Sequence, residues 1–226
     1  MKDKIITIPA GASNVYLLMN AEHSILIDAG NKNKAEKILL EMEKAGVKPS
    51  SLSAIIITHG HYDHCGSLAE LKKRTKAQVI VHQKEAEALR KGFLELPHGT
   101  NIFFSFLVGL GKIFLKNLGH YTPVEPDILI DQTFDMKKFG FDAFLIPTPG
   151  HTAGSLSLIW RKKYAFVGDS AFNVIGTGVY PPFANHPTNL LLSWNAILQS
   201  GVEYIYPGHG RPFHRSGLMR TYQRHT

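Results

Sequence analysis

Ala54-Ile55-Ile56-Ile57-Thr58-His59-Gly60-His61-Tyr62-Asp63-His64-Cys65-Gly66 decides how the rest of the chain is read. The opening apolar run, rich in β-branched residues, reads as a buried strand. Three histidines and one aspartate then fall within six positions, so that strand delivers four metal-type ligands at its end. A cluster of this density points to a metal site, whereas a single histidine there would read as an ordinary surface or core residue. On an extended chain His59 and His61 face the same way. Asp63 and His64, one residue apart, need a turn to reach a common ion. The spacing is that of a loop for two ions.

Working outward, the flanking sequence alternates strand and helix patterns. Ile5 to Ile8, Asn14 to Met19 and Ser24 to Asp28 are short apolar runs bounded by turn residues, which predicts a β-meander. Residues 33 to 45 place Ile38, Leu39, Met42 and Ala45 at helical spacing before Gly46 as a stop. After the metal loop the pattern predicts a helix through Leu68 and Leu71, a strand from Gln78 to His82, a short helix from Lys84 to Lys91 and an apolar run at Asp127 to Ile130. A second series follows, with strands at Phe144 to Pro147, Ser155 to Trp160 and Tyr164 to Val167, a helix from Asn189 to Leu198 and a closing strand from Tyr204 to Tyr206. Each half is mostly strands finishing in helix, which suggests an α/β (α+β) chain with two stacked sheets between helical layers. No linker or low-complexity run divides it, and residues 1–226 are expected to form one domain.

The segment from Gly92 to Pro126 breaks the rhythm and is expected to be a helical insertion. Within Ile102 to Leu118, the positions Ser105, Gly109, Lys112 and Lys116 are spaced four, three and four, a narrow polar stripe on an otherwise apolar helix. The stretch is too short and too charged for a transmembrane span. Its wide apolar face must be covered by its own core, or act as a lid over an apolar pocket, a homodimer contact or a membrane-surface patch.

Composition narrows the function classes. Hydrophobic residues make up 44% and charged residues 19%, the balance of a soluble globular chain rather than a disordered one. Met1 to Pro9 has no apolar core of signal-peptide length, so a cytoplasmic location is the default. Cys65 is the sole cysteine, which excludes an intramolecular disulfide, and it reads as a small packing residue where the loop enters a helix. The formal charge of +7 would suit nucleic acid or acidic substrates. The basic residues, however, are scattered among Lys72-Lys73-Arg74, Arg161-Lys162-Lys163 and the C-terminal arginines without aromatic interleaving, so nucleic acid is not the expected partner.

Three further motifs follow apolar runs: Pro147-Thr148-Pro149-Gly150-His151-Thr152, Gly168-Asp169-Ser170 and Pro207-Gly208-His209-Gly210. Each alone is explained by turn chemistry. In layered sheets, sites collect where several strands end together. Converging with the first loop, these segments would assemble His59, His61, Asp63, His64, His151, Asp169 and His209.

With these motifs the chain resembles the metallo-β-lactamase superfamily, which includes glyoxalase II, lactonases, ribonuclease Z and true β-lactamases, over nearly its whole length except the insertion. The resemblance implies a four-layered αββα sandwich of two mixed sheets flanked by helices. It implies His59, His61 and His151 on one metal, Asp63, His64 and His209 on the other, and Asp169 bridging, with Asp28 supporting the site from behind its ligands. It also places Asp63 to orient a hydroxide and pass a proton to the leaving group. Imidazoles and carboxylates suit zinc, iron or manganese, so the expected cofactor is two divalent ions, with zinc the leading choice. Water held between two such ions loses a proton near neutral pH, and hydroxide attack on a carbonyl is the implied chemistry.

Departures within the resemblance bear on the substrate. Asp169 stands where the commonest metal-dependent penicillinases have a cysteine ligand, and Phe172 stands where acyl-homoserine lactonases carry tyrosine. Gly168 to Phe172 looks like glyoxalase II, but the run Asn173 to Pro182 lacks the Gly-Arg-rich glutathione-binding character, and only about 17 residues follow His209. Tyr180 and His186 lie where a loop could bring an oxyanion donor, and Arg211 where an anionic substrate could be held; a turn tyrosine, a solvent histidine and a basic tail are the plain alternatives. The apolar insertion favours a small molecule with an apolar group, hydrolysed at an ester, thioester or lactone-type carbonyl. A ribonuclease Z-like phosphodiesterase, an iron-dependent oxidoreductase and a non-catalytic metal-binding module are the other classes.

Overall fold

The computed structural model describes residues 3–100, 119–174 and 178–226. In the first sheet, β1 (Lys4–Pro9), β2 (Asn14–Met19) and β3 (Ser24–Ile27) form an antiparallel meander. β4 (Leu52–Ile56), β5 (Gln78–His82) and β6 (Ile128–Ile130) extend the same sheet in parallel. The change of sense follows from the connections, because parallel neighbours need a crossover. Helix α1 (Ala35–Lys44) carries the chain from β3 to β4, and α2 (Tyr62–Cys65) with α3 (Leu68–Thr75) carries it from β4 to β5. Helix α4 (Ala86–Lys91) follows β5.

The second sheet contains β7 (Phe134–Asp135), β8 (Ala143–Pro147), β9 (Leu156–Trp160), β10 (Tyr164–Asn173), β11 (Tyr204–Gly210) and β12 (Phe213–His214), ordered by sequence across the sheet. Its one parallel pair, β10 with β11, is the pair joined through helix α5 (Pro187–Gln199). Helix α6 (Arg215–Gln223) closes the chain.

Alternation along the strands separates three apolar cores, which is what makes four layers. Val15, Leu17, Ile55, Val79 and Val81 face Ile38, Leu39, Met42, Leu68 and Leu71 on the helices of the first side. Tyr16, Leu18, Ile25, Ile27, Ile56 and Ile80 point the other way, against Leu145, Leu156, Leu158, Trp160 and Phe166 of the second sheet. Ile159, Ala165 and Val167 on the outer face of that sheet pack on Leu190, Trp194, Ile197 and Leu218 of α5 and α6. Strands covered on both faces therefore read as continuous apolar runs. The layered αββα order is the expected one.

Several boundaries differ from the sequence reading. The β3 strand stops at Ile27, because Asp28 turns into the left-handed region at φ 62°. Gly168-Asp169-Ser170 and Pro207-Gly208-His209 were expected after their strands, yet β10 and β11 run through them to Asn173 and Gly210. Two register shifts, between Phe166 and Gly168 and between Gly168 and Phe172, accommodate the change. Such bulges re-aim a side chain without ending a strand. The C-terminal segment is helical rather than a loose tail: α6 buries Leu218 and Arg215 donates through Nη2 to Leu198 O at 3.1 Å, while Arg211, Arg220 and Arg224 are exposed as a solvated basic face. Strands β7 and β12, two residues each, carried no legible pattern.

In the described ends of the insertion, Phe93 bridges His120 and Gly99 bridges Phe183, and Thr100 N–H donates to Pro182 O at 2.9 Å. The predicted helix from 102 to 118, with its lid, dimer and membrane-surface alternatives, lies outside the described residues. Among the described residues no helix is long and apolar enough to cross a membrane.

Candidate metal centre

The first loop leaves β4 extended, and single-turn helix α2 then begins at Tyr62 with His61 as its N-cap. His64 N–H and Cys65 N–H both return to His61 O at 3.0 Å, so the turn needed to bring Asp63 and His64 inward is made by the shortest possible helix. Cys65 is buried and its thiol lies 3.4 Å from His59 O, a packing role. His151 arrives on the hairpin between β8 and β9, Asp169 on the bulged part of β10, and His209 near the end of β11. The two sheets are tied together beside these loops, where Leu156 N–H donates to Thr58 O at 2.8 Å and Tyr16 O–H donates to Pro207 O at 2.6 Å. Gly208 is required here, since a Cβ would lie 2.3 Å from Asp169 Oδ1 and 2.7 Å from His64 Cε1.

All seven side chains converge. Ligand-type atoms of His59, His61 and His151 lie within 4.8 Å of one another, as do those of Asp63, His64 and His209. Asp169 faces both sets, with Oδ1 3.2 Å from His64 Nε2, and Oδ2 3.3 Å from His209 Nε2 and 3.6 Å from His151 Nε2.

The outward ring nitrogens determine what the inward ones can be. His61 Nε2 lies 3.3 Å from Glu95 O, and His151 Nδ1 lies 2.9 Å from Phe183 O. Carbonyl oxygens only accept, so both outer nitrogens carry hydrogen. Burial holds both rings below their ordinary value, His151 down to about 4, so they are neutral and their inner nitrogens are lone pairs. Yet His61 Nδ1 and His151 Nε2 face each other at 3.0 Å. Two lone pairs at that distance repel unless a cation lies against both. His59 Nε2 is also buried without a hydrogen bond, and the buried His64 Nε2 and Asp169 Oδ1 are in ion-pair contact at 3.2 Å but form no hydrogen bond. Buried polar atoms in that condition need a partner, and divalent ions fit the donor set.

The other half differs electrostatically. Burial works against charge on His64 and His209 as well, but the carboxylates outweigh it. Asp169, Asp28 and Asp63 hold His64 well above its ordinary value, and Asp169 chiefly raises His209 to about 10. Burial pushes the Asp169 carboxyl up, and His209 and His64 bring it well below the usual range. The metal-free centre is therefore proton-poor at His59, His61 and His151 and proton-rich at His64 and His209.

Asp28 lies behind the ligands, 2% exposed. Its Oδ1 accepts Thr58 N–H at 2.8 Å, and its Oδ2 lies 2.8 Å from His64 Nδ1. Thr58 Oγ1 donates to the same carboxylate and stands 3.1 Å from His59 Nδ1, so one acid orients two imidazoles. The part of the Thr58 hydroxyl had no signal in the sequence, nor had the Glu95 and Phe183 carbonyls. His209 Nδ1 is held by Ala12 O at 2.9 Å, and the Phe172 ring stacks on the His209 ring at 4.7 Å.

The three suggested substrate contacts are not among the clustered ligand-type residues. The Tyr180 ring stacks on His225 at 4.4 Å and meets Trp194 edge-on at 5.7 Å. His186 is an exposed N-cap of α5 whose backbone N–H donates to Gly150 O, and Arg211 is exposed just beyond His209.

Comparison with known proteins identifies the family and the fold. The family model described as the metallo-β-lactamase superfamily matches residues 8–209. A probable metallo-hydrolase of Methanocaldococcus jannaschii is 28% identical over 203 residues, covering 88% of this chain and 88% of its own. The hydroxyacylglutathione hydrolase GloC of Haemophilus influenzae is 28% identical over 175 residues, 76% of this chain and 73% of that protein. Among solved structures, the B3 metallo-β-lactamase BLEG-1 superposes with a TM-score of 0.73 at 23% identity, covering 96% and 97% of the two chains, a likeness of fold.

Proposed function

The chain belongs to the metallo-β-lactamase superfamily and is a metallohydrolase, and from that premise we propose that it is a binuclear enzyme cleaving ester, thioester or lactone-type carbonyls of small molecules with an apolar group. His59 Nε2, His61 Nδ1 and His151 Nε2 would hold one ion, and Asp63 Oδ2, His64 Nε2 and His209 Nε2 the other, with Asp169 shared. Two bound divalent ions, with zinc the leading choice and iron or manganese the alternatives, would supply a hydroxide nucleophile near neutral pH and polarise the substrate carbonyl. The observation that carries the reading is the opposed lone-pair geometry of His61 and His151 beside a carboxylate shared with the second cluster.

The residues themselves define the remaining roles. Burial pushes the Asp63 carboxyl up, but His64 and the His209 N–H lower it, so it is ionised at neutral pH and can accept a proton at Oδ2. Asp63 acts as the base that orients the attacking water and then passes the proton to the leaving group. The substrate approaches from its side of the centre, because the Asp63 and His209 side chains are 12% and 15% exposed whereas His59 and His151 are at 1% and 2%. Asp28 and the backbone carbonyls fix the imidazoles, so little reorganisation is required when an ion binds.

The thioester option draws support from the similarity to a hydroxyacylglutathione hydrolase. A cytoplasmic setting accords with a buried, unpaired Cys65. A hydrolysis panel of thioesters, lactones, aryl esters and phosphodiesters with varied acyl length tests the proposal. Carbonyl substrates should be turned over, with efficiency rising with acyl length; phosphodiester cleavage alone would replace it with a nuclease.

A further inference from the structure

Glu85 is a buried acid that this chemistry does not use. It closes the short turn Gln83–Glu85 after β5 and is 2% exposed. Its Oε2 accepts Gly60 N–H at 2.9 Å, and its Oε1 accepts Gly154 N–H at 2.9 Å. Gly60 stands between the candidate ligands His59 and His61, and Gly154 lies three residues beyond His151. One carboxylate therefore ties together two ligand loops that come from different sheets. The carbonyl of the same Gly60 accepts the buried Tyr121 O–H at 2.9 Å, so the residue between the two histidines is gripped at both its N–H and its C=O. At Gly154 the approach is close enough to require glycine, because a Cβ would sit 2.7 Å from Glu85 Cγ and Oε1.

We propose that Glu85 is the positioning residue that pre-organises the His59–His61–His151 half of the centre. The inference rests on the binuclear reading above. Its physical basis is the close approach of the two loops, which sets His61 Nδ1 and His151 Nε2 3.0 Å apart and which any separation of the loops would undo. A carboxylate accepting one backbone N–H from each loop resists that separation, and because burying an acid is costly unless it is hydrogen-bonded, both bonds are strongly held. Glutamine at this position has the same shape but must turn an NH2 group toward one of the two N–H donors. Aspartate keeps the charge but is one methylene short of spanning both.

The test is chelator competition for Zn2+ on the full chain, with each half isolated by a ligand substitution. In a His209→Ala background, which keeps the first half, Glu85→Gln should weaken the ion by about 10- to 100-fold, the usual loss when a group behind the ligands is removed. In a His151→Ala background, which keeps the second half, affinity should stay within about threefold of the parent on the same basis. Glu85→Asp should reproduce the pattern, and it decides the question alone if the glutamine variant fails to fold. Unchanged affinity in the His209→Ala background, or equal loss in both, overturns the positioning role. A wild-type chain that binds no ion would instead overturn the binuclear reading and this inference with it.

Discussion

Replacing Asp28 by asparagine is expected to cost the Asp63–His64–His209 half its ion while leaving most of the metal-free fold in place. Asp28 Oδ2 lies 2.8 Å from His64 Nδ1 and can only accept, so Nδ1 carries hydrogen and Nε2 is the atom offered to the centre. The introduced amide keeps an oxygen on Thr58 N–H, the 2.8 Å bond, and must then present its NH2 to His64. To escape a donor facing a donor, the imidazole gives up its Nδ1 hydrogen and keeps the one on Nε2, where Asp169 Oδ1 stands 3.2 Å away. The metal-free protein loses a charge-assisted bond, about 1.5 to 3 kcal/mol, which lowers the unfolding midpoint by several degrees. Ion binding must now reverse the tautomer against the amide, a loss of about 10- to 100-fold in affinity at this half. Asp28→Ala, by contrast, strands both Thr58 N–H and His64 Nδ1 and should cost stability more, about 3 to 5 kcal/mol. Chelator competition and thermal unfolding of the two variants separate these effects. An asparagine variant holding two ions per chain at wild-type affinity would refute the tautomer argument.

Other consequences follow from the same centre. Asp169→Ala removes the carboxylate shared by the two clusters, and metal content should fall with hydrolysis by about 10³-fold or more, since several kcal/mol of charge stabilisation depends on the ions; full activity with two ions bound would contradict the bridging role. The metal-free protein should lose stability as pH falls from 7 toward 4. His59, His61 and His151 are depressed in the fold, so their contribution is complete above the ordinary value of 6.5 and is lost as pH drops through the folded values, about 4 for His151, on the order of 3 kcal/mol for that residue. His64 and His209 have the opposite sign: their contribution is complete below 6.5 and is lost as pH rises through the folded values, about 10 for His209. A flat unfolding midpoint between pH 7 and pH 4.5 would show that these assignments are wrong. Loading the second half at pH 7 should release protons from His64 and His209, whereas loading the first half should release none; calorimetry in buffers of different ionisation enthalpy reads the difference.

The architecture was legible because the central strands are buried on both faces. Ile25 to Ile27, Ala54 to Ile57 and Val79 to Val81 read as apolar runs and alternate between two cores in the structure. Glycine and proline misled where they serve close approach rather than turning. Gly168 and Pro207 looked like strand ends, yet both lie inside strands, at the point where Asp169 and His209 must pack against the opposite loop. The seven candidate ligands could be read from their own side-chain types. Their supports could not, because the carbonyls of Ala12, Glu95 and Phe183 have no signature in sequence and become visible only when the loops are brought together. Asp28 was suggested only by family resemblance, and its left-handed backbone explains how an acid at the end of β3 can turn back on both Thr58 and His64.

Hydrolysis of a carbonyl substrate should depend on two ions, one held at each of these clusters. This dependence is tested most directly by stripping the chain with chelator, adding back Zn2+ in steps and following thioester and lactone hydrolysis at each step. Activity should rise until two equivalents per chain are bound and then stay level. Full activity at one equivalent, or saturation at two with no turnover of any carbonyl substrate, would contradict this expectation.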